Sequence, residues 1–237
     1  SKNEDLILAN ATAPLQSAAA ATTDIPILGT SVTDYATALD ISDWSGTTGR
    51  NISGTSDLAP LSEQAAMLNE LFPDAKNVGL LYCSAEANSQ YQIDVIKEEL
   101  EKLNYTCTAY SFVDSNDIAS VVQSAVNDND VLYVPTDNTA ASNTEVINNI
   151  AGEAGVPIIA GEAGICKGCG VATLSISYYD LGYQTGKMAY EILVNGADPS
   201  TMEVEFAPAV TKQYNPDICE KLGITVPDDY KALDMSE

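Results

Sequence analysis

The chain has 237 residues, with 34 acidic and 10 basic side chains, no histidine and a formal net charge of −24. Nine lysines and one arginine make no basic face for phosphates, which excludes nucleic-acid binding, and an anionic membrane surface would repel the chain. Without histidine there is no Ser-His-Asp triad, no Cys-His dyad and no histidine-ligated zinc. Hydrophobic residues make up 45%, enough for one large or two small cores. No apolar run approaches the ~20 residues of a membrane span, and no stretch reads as a signal peptide. A mature exported chain and a cytosolic one would both have this composition.

In chain order, Asp5–Asn10 is a short apolar run that ends in polar residues. Thr12, placed as an N-cap, and Pro14 open the alanine-rich helix Leu15–Ala21. Ile25–Gly29 reads as a buried strand, followed by a polar loop over Thr30–Tyr35. Ser62–Leu71 carries apolar residues at helical spacing and stops before Pro73. Val78–Tyr82 is a strand, and Ser89–Leu103 a helix with Ile93, Ile96, Leu100 and Leu103 along one side. Thr106–Phe112 alternates as a strand, Asp117–Val126 is helical and Val131–Val134 is a strand. Then come a helix over Ala141–Ala154, strands at Pro157–Ala160 and Val171–Ile176, and a helix over Leu181–Asn195. Glu203–Ala207 is one extended piece before a mostly polar end.

This alternation predicts an α/β protein whose parallel sheets carry helices on both faces. In such sheets the ligand lies beyond the carboxyl ends of the strands. The residues there are Asn10–Thr12, Thr30–Asp34, Ser84–Asn88, Pro135–Thr139 and Gly161–Glu162, a neutral-to-acidic rim with no cation. Hydroxyls and helix N-termini can hold a carboxylate without lysine or arginine, and Asp137 or Glu162 can hold an ammonium group. The rim therefore suits a zwitterion, above all an amino acid. The same residue types, Thr12, Ser84 and Thr136 among them, also serve as plain helix caps, and composition does not separate the two readings.

Enzymatic motifs fail in turn. Gly182 to Lys187 is one residue short for a P-loop, and Met188 stands where Ser or Thr is needed. Gly168-Cys169-Gly170 lacks a third glycine, and no GxSxG elbow is present. Asp128-Asn129-Asp130 has the acids of a calcium loop but not its glycine, which makes a solvated turn the better reading. Five cysteines form no even disulfide framework; Cys166 and Cys169 have CxxC spacing but no further ligands, so they read as a structural loop pair. No metal or cofactor is expected.

Several segments carry a family resemblance. Asn51–Asp57 leading into Leu61–Phe72, then Asn77–Ser84, Tyr133–Thr139 and Ser177–Gly186, resemble ABC-transporter substrate-binding proteins of the tryptophan/tyrosine type. The likeness runs from Asp5 to Leu233. It implies the type I periplasmic-binding-protein fold: two doubly wound lobes joined by a multi-crossing hinge, with ligand held in the interlobe cleft. Lobe one would hold residues 1–74 plus 178–203, and lobe two 75–177 plus 204–237. Compared with the family, lobe one lacks its first two strand–helix units, so the natural product is expected to be longer by about 60–80 residues.

By the resemblance, Ala11 and Thr12, then Ser31 and Thr33, would hold a ligand carboxylate, and Asp137 with Glu162 the ammonium group. Glu86, Asn88 and Asn138 would line the side-chain pocket, and Tyr35, Tyr178 and Tyr179 would offer an aromatic wall. The implied function is extracytoplasmic solute binding, as a periplasmic protein or surface lipoprotein. It would deliver an amino acid such as tryptophan, tyrosine or phenylalanine to ABC permease subunits, without catalysis. A ligand-sensing domain of a receptor or regulator is the alternative, although no basic helix-turn-helix segment is seen. An enzyme using cleft acids is a third reading that the failed motifs disfavour.

Overall fold

A computed structural model describes residues 4–236 and divides the chain into two units, each with its own parallel sheet. The first unit runs to Leu58 and resumes over Ser177–Ala209; the second comprises Ala59–Ile176 and Val210–Glu237. In chain order the first segment contains β1 (Ile7–Asn10), α1 (Thr12–Ala21), β2 (Ile27–Val32), α2 (Tyr35–Leu39) and β3 (Ile52–Ser56). Next come α3 (Leu61–Leu71), β4 (Asn77–Cys83), α4 (Ala87–Lys102), β5 (Thr106–Phe112), α5 (Ile118–Asp128) and β6 (Val131–Val134). They are followed by α6 (Asn138–Ala141), α7 (Thr144–Ala154), β7 (Ile158–Ala160), α8 (Ala163–Cys169) and β8 (Ala172–Ile176). The chain then adds α9 (Tyr178–Leu193) and β9 (Glu205–Phe206) to the first unit. It ends in the second with β10 (Val210–Tyr214), α10 (Pro216–Leu222) and β11 (Lys231–Ala232).

The first unit's sheet has the order β1-β2-β3-β9, all parallel. Alternate side chains feed two layers, as the period of a strand demands. Ile27, Ile52 and Ala9 pack with Leu15 of α1 and with Tyr35 and Leu39 of α2. On the opposite face Leu28 packs under Met188 and Ile192 of α9. Tyr35 was expected in an aromatic wall, but it is 1% exposed and its hydroxyl donates to Thr55 O at 3.2 Å. Two glycines make room for it: a Cβ on Gly29 would lie 2.3 Å from the Tyr35 oxygen, and one on Gly54 2.0 Å from Gly29 O.

The second unit's sheet runs β11-β10-β8-β7-β6-β4-β5, parallel except where β10 lies antiparallel to β8. Leu81, Leu132 and Val134 meet α5, α7 and α8 in one core. On the other face Tyr133 donates its hydroxyl to Gln64 Oε1 of α3 at 2.5 Å, while Gln64 Nε2 donates to Gly161 O and Leu174 O. That buried amide explains one of two differences from the expected division; the other is residues 204–209, expected in the second lobe, where β9 pairs with β3 of the first unit. Residues 59–74, expected in the first lobe, join the second unit because α3 packs on α4 and β8.

Other differences from the sequence reading are local. Ala11 rather than Thr12 is the N-cap of α1, and the helix expected over Ala141–Ala154 breaks between Ala141 and Thr144. The structure adds β3, β10, β11, α2, α8 and α10, which the reading did not place. Cys166 and Cys169 lie on α8 rather than in a loop, free and buried. Burial pushes both thiols up, Cys169 to about 12, so they pack as small apolar groups. Among the described residues no helix is long and apolar enough to cross a membrane, and no group of three or more His, Cys, Asp or Glu side chains is placed to hold a metal ion.

Candidate functional site

In the first unit the strand ends are tied laterally into one rim. β1 finishes at Asn10, and the Ala11 N–H donates to Thr30 O at 2.9 Å, joining the ends of β1 and β2. Ala11 sits at φ 79°, ψ 168°, a region almost reserved for glycine. Its methyl group cannot cap α1, and Pro14 has no N–H, so the first-turn N–H groups of Thr12 and Ala13 receive no side-chain cap. Ser31, at φ 54°, lies in the register shift between Gly29 and Val32. Thr33 is buried and its carbonyl accepts from Ser56 Oγ at 2.8 Å, which joins the ends of β2 and β3. Thus Ala11, Thr12, Ser31 and Thr33, expected together, do share one sheet edge.

That edge also carries a residue the sequence reading passed over. Asp57 follows β3 directly, is 5% exposed, and its N–H donates to Val32 O at 3.3 Å. Tyr178, the first residue of α9, donates its hydroxyl to Asp57 Oδ2 at 3.3 Å. Tyr178 is 39% exposed and Tyr179 81%. Asp34, the other acid at this edge, accepts from Thr37 N at 2.7 Å and so caps α2. An aspartate immediately after a strand and ahead of Pro60, with no helix beginning at it, was the available signal.

In the second unit Glu86, Asn88, Asp137 and Asn138 do come together, but to hold each other. The Glu86 carboxylate accepts from Asn138 N (3.0 Å) and Nδ2 (2.7 Å), Thr139 N (2.9 Å) and Oγ1 (2.7 Å), and Asn88 Nδ2 (3.2 Å). Burial opposes its charge, yet these donors hold the carboxyl below the usual glutamate range. Asp137 accepts from Ala140 N through Oδ1 and from Cys83 N through Oδ2, both at 2.7 Å. It therefore caps α6 and pins it to the end of β4. Glu162 likewise caps α8, accepting from Gly164 N at 2.7 Å and from Ile165 N.

Asp137 and Glu162 are the acids expected to take an ammonium group. Their oxygens are engaged by backbone N–H groups, and the side chains are 1% and 9% exposed. Burial pushes both carboxyls up, Asp137 further through the Glu86 charge, while the N–H donors pull them back. Asn88, bonded also to Thr136 O at 3.3 Å, and Gln92, which grips the Thr136 N–H and carbonyl, brace the loop after β6.

The model of the family described as ABC transporter substrate binding protein matches residues 1–235. The chain belongs to the ABC transporter substrate binding protein family. Its members are binding proteins, and the fold of this member is that of type I periplasmic binding proteins. A relative named tyrosine-binding protein, from Clostridioides difficile, is 37% identical over 193 residues, covering 81% of this chain. The chain spans only 56% of that relative's length. A solved Streptococcus pneumonia ABC domain in complex with L-Trp superposes with TM-score 0.92 at 30% identity, covering 98% of this chain and 82% of that one. The ligand-free, open structure of a substrate binding protein with adhesive properties from Clostridium difficile gives 0.74 at 36% identity, covering 98% and 79%.

Proposed function

We propose that this chain binds an amino acid with an aromatic side chain and passes it to ABC permease subunits outside the cytoplasm, as a periplasmic or lipid-anchored protein, with no chemistry of its own. One observation carries the reading. The strand-end rim of the first unit combines an α1 N-terminus without a side-chain cap, hydroxyl residues and one buried acid, with no lysine or arginine among them. Thr12 and Ala13 N–H groups, with the Ser31 and Thr33 loop, hold the ligand carboxylate through partial positive charge and hydrogen bonds. A rim built this way accepts a zwitterion. The Clostridioides relative named for tyrosine and the Streptococcus structure with L-Trp support an aromatic side chain.

A thermal-shift screen across the twenty L-amino acids, nucleosides and sugars tests it. A ligand at 100 times its Kd adds about 2.7 kcal/mol of stability. In a chain of this size that raises Tm by roughly 5–10 °C. No rise with L-tyrosine, L-tryptophan or L-phenylalanine would overturn the proposal.

A further inference from the structure

We infer that the segment Asp229–Leu233 of the second unit is a strap that opens and closes on its own, and that Lys212 is its latch. This holds whatever ligand the chain binds. The strap's backbone hold is slight. β11 has two residues, both exposed, paired with Gln213 and Tyr214 of β10, and beyond them the Leu233 N–H donates to Tyr214 O at 2.9 Å. Segments held by so few backbone bonds open at the low end of a protein's free-energy range. Side chains supply the rest. Leu233 packs against the edge of the core, and Tyr230, 6% exposed, is the strap's buried anchor.

Lys212 sits where these side chains meet. Its ammonium is 3.0 Å from Glu70 Oε2 on α3 and 3.0 Å from Asp229 Oδ2 on the strap. It also stands 5.0 Å from the centre of the Tyr230 ring, within cation–π range. The Tyr230 hydroxyl completes the circuit by donating to the same Glu70 oxygen at 2.8 Å. The pairs Lys97–Glu101 and Lys102–Glu99 lie within α4, whereas Lys212 on β10 joins α3 to the strap. One exposed ion pair adds little, but here a single cation serves two carboxylates and a ring face at once. Without it Glu70 and Asp229 are left as like charges, in a chain whose net charge is already −24. α3 does not depend on the latch. Gln64 fixes its first half to Gly161 O and Leu174 O, and the Tyr105 hydroxyl lies 3.0 Å from Asn69 Oδ1 and 3.1 Å from Phe72 O at its last turn. Opening therefore frees the strap alone.

Hydrogen–deuterium exchange of the full chain, read by mass spectrometry, tests this on wild type, Lys212→Met and Lys212→Arg. In wild type the amides of residues 230–233 should exchange a few fold faster at about 1 M salt than at about 0.01 M, because a Debye length near 3 Å screens the latch. Lys212→Met keeps the apolar stem over Tyr230 and removes the charge. At low salt its strap should exchange about tenfold faster than that of wild type, and the salt dependence should vanish or invert. Lys212→Arg should recover most of the protection. The Phe72 amide and those of β6 should exchange alike in all three proteins. If Lys212→Met does not fold, as judged by its circular dichroism melt, the salt series on wild type and Lys212→Arg decides alone. Strap exchange that ignores both salt and the loss of the Lys212 charge overturns the latch. Exchange of Phe72 and β6 rising in step with the strap overturns its independence.

Discussion

Asp137→Asn separates a brace from a binding group. The carboxylate accepts two backbone N–H groups at 2.7 Å, from Ala140 and Cys83, and is 1% exposed. An asparagine has one carbonyl oxygen for these two donors, and its amide would point an N–H at the other. One charge-assisted bond is lost, worth about 1.5–3 kcal/mol, and a buried donor is left unmatched at about 1–3 kcal/mol. Removing a charge disfavoured by burial and by Glu86 returns part of this. The expected net loss is about 2–3 kcal/mol, a drop of roughly 4–10 °C in the melting of the second unit. Calorimetry on the variant measures it, and titration with L-tyrosine measures affinity, which should change less than threefold. An unmoved melting transition together with a tenfold loss of affinity would refute the reasoning and return Asp137 to the ligand.

Ala11→Gly should stabilise the first unit by about 1 kcal/mol, because glycine relieves backbone strain at φ 79°, ψ 168° that outweighs its own entropy cost. A destabilisation in urea unfolding would contradict this. Glu86 and Asp137 predict opposite limbs in acid. Glu86 has its folded pKa lowered, so its stabilisation is present above the ordinary carboxylate range and fades as pH falls through the lowered value. Asp137 has its folded pKa raised, so stability declines as pH climbs from the ordinary aspartate value to the raised one. Glu86→Gln should flatten the first limb and Asp137→Asn the second, read from urea midpoints between pH 3 and 7.

Segments with strong periodicity were legible in the sequence: β5 and β6 fall on Thr106–Phe112 and Val131–Val134 as read. β3 was not, because Ile-Ser-Gly-Thr-Ser has almost no hydrophobic signal. Its glycine is there to admit Tyr35, a reason visible only once the chain is folded. α8 was hidden by two glycines in seven residues; the Glu162 cap and the burial of Ile165, Cys166 and Cys169 in the core hold it as a helix. One edge of the candidate site was legible. The rule that ligands lie beyond strand ends led to Ala11, Thr12, Ser31 and Thr33, which do share an edge. It could not rank the acids, since a carboxylate reads the same in the sequence whether or not it caps a helix. What marks Asp137 and Glu162 is that a helix starts at the next residue, Asn138 and Ala163, and that depends on backbone geometry the sequence reading did not resolve.

The two units are interleaved along the chain, and this sets the timetable of their making. The first needs α9 and β9 from Ser177–Ala209, and the second needs β10 from beyond residue 209. During synthesis Leu28 waits for Met188 and Ile192, more than 150 residues later. β8 acquires β10 only after α9 and β9 of the other unit have been made. Each unit therefore waits for strands or helices that emerge long after its first ones, the chain's many negative charges slowing the association of exposed segments meanwhile.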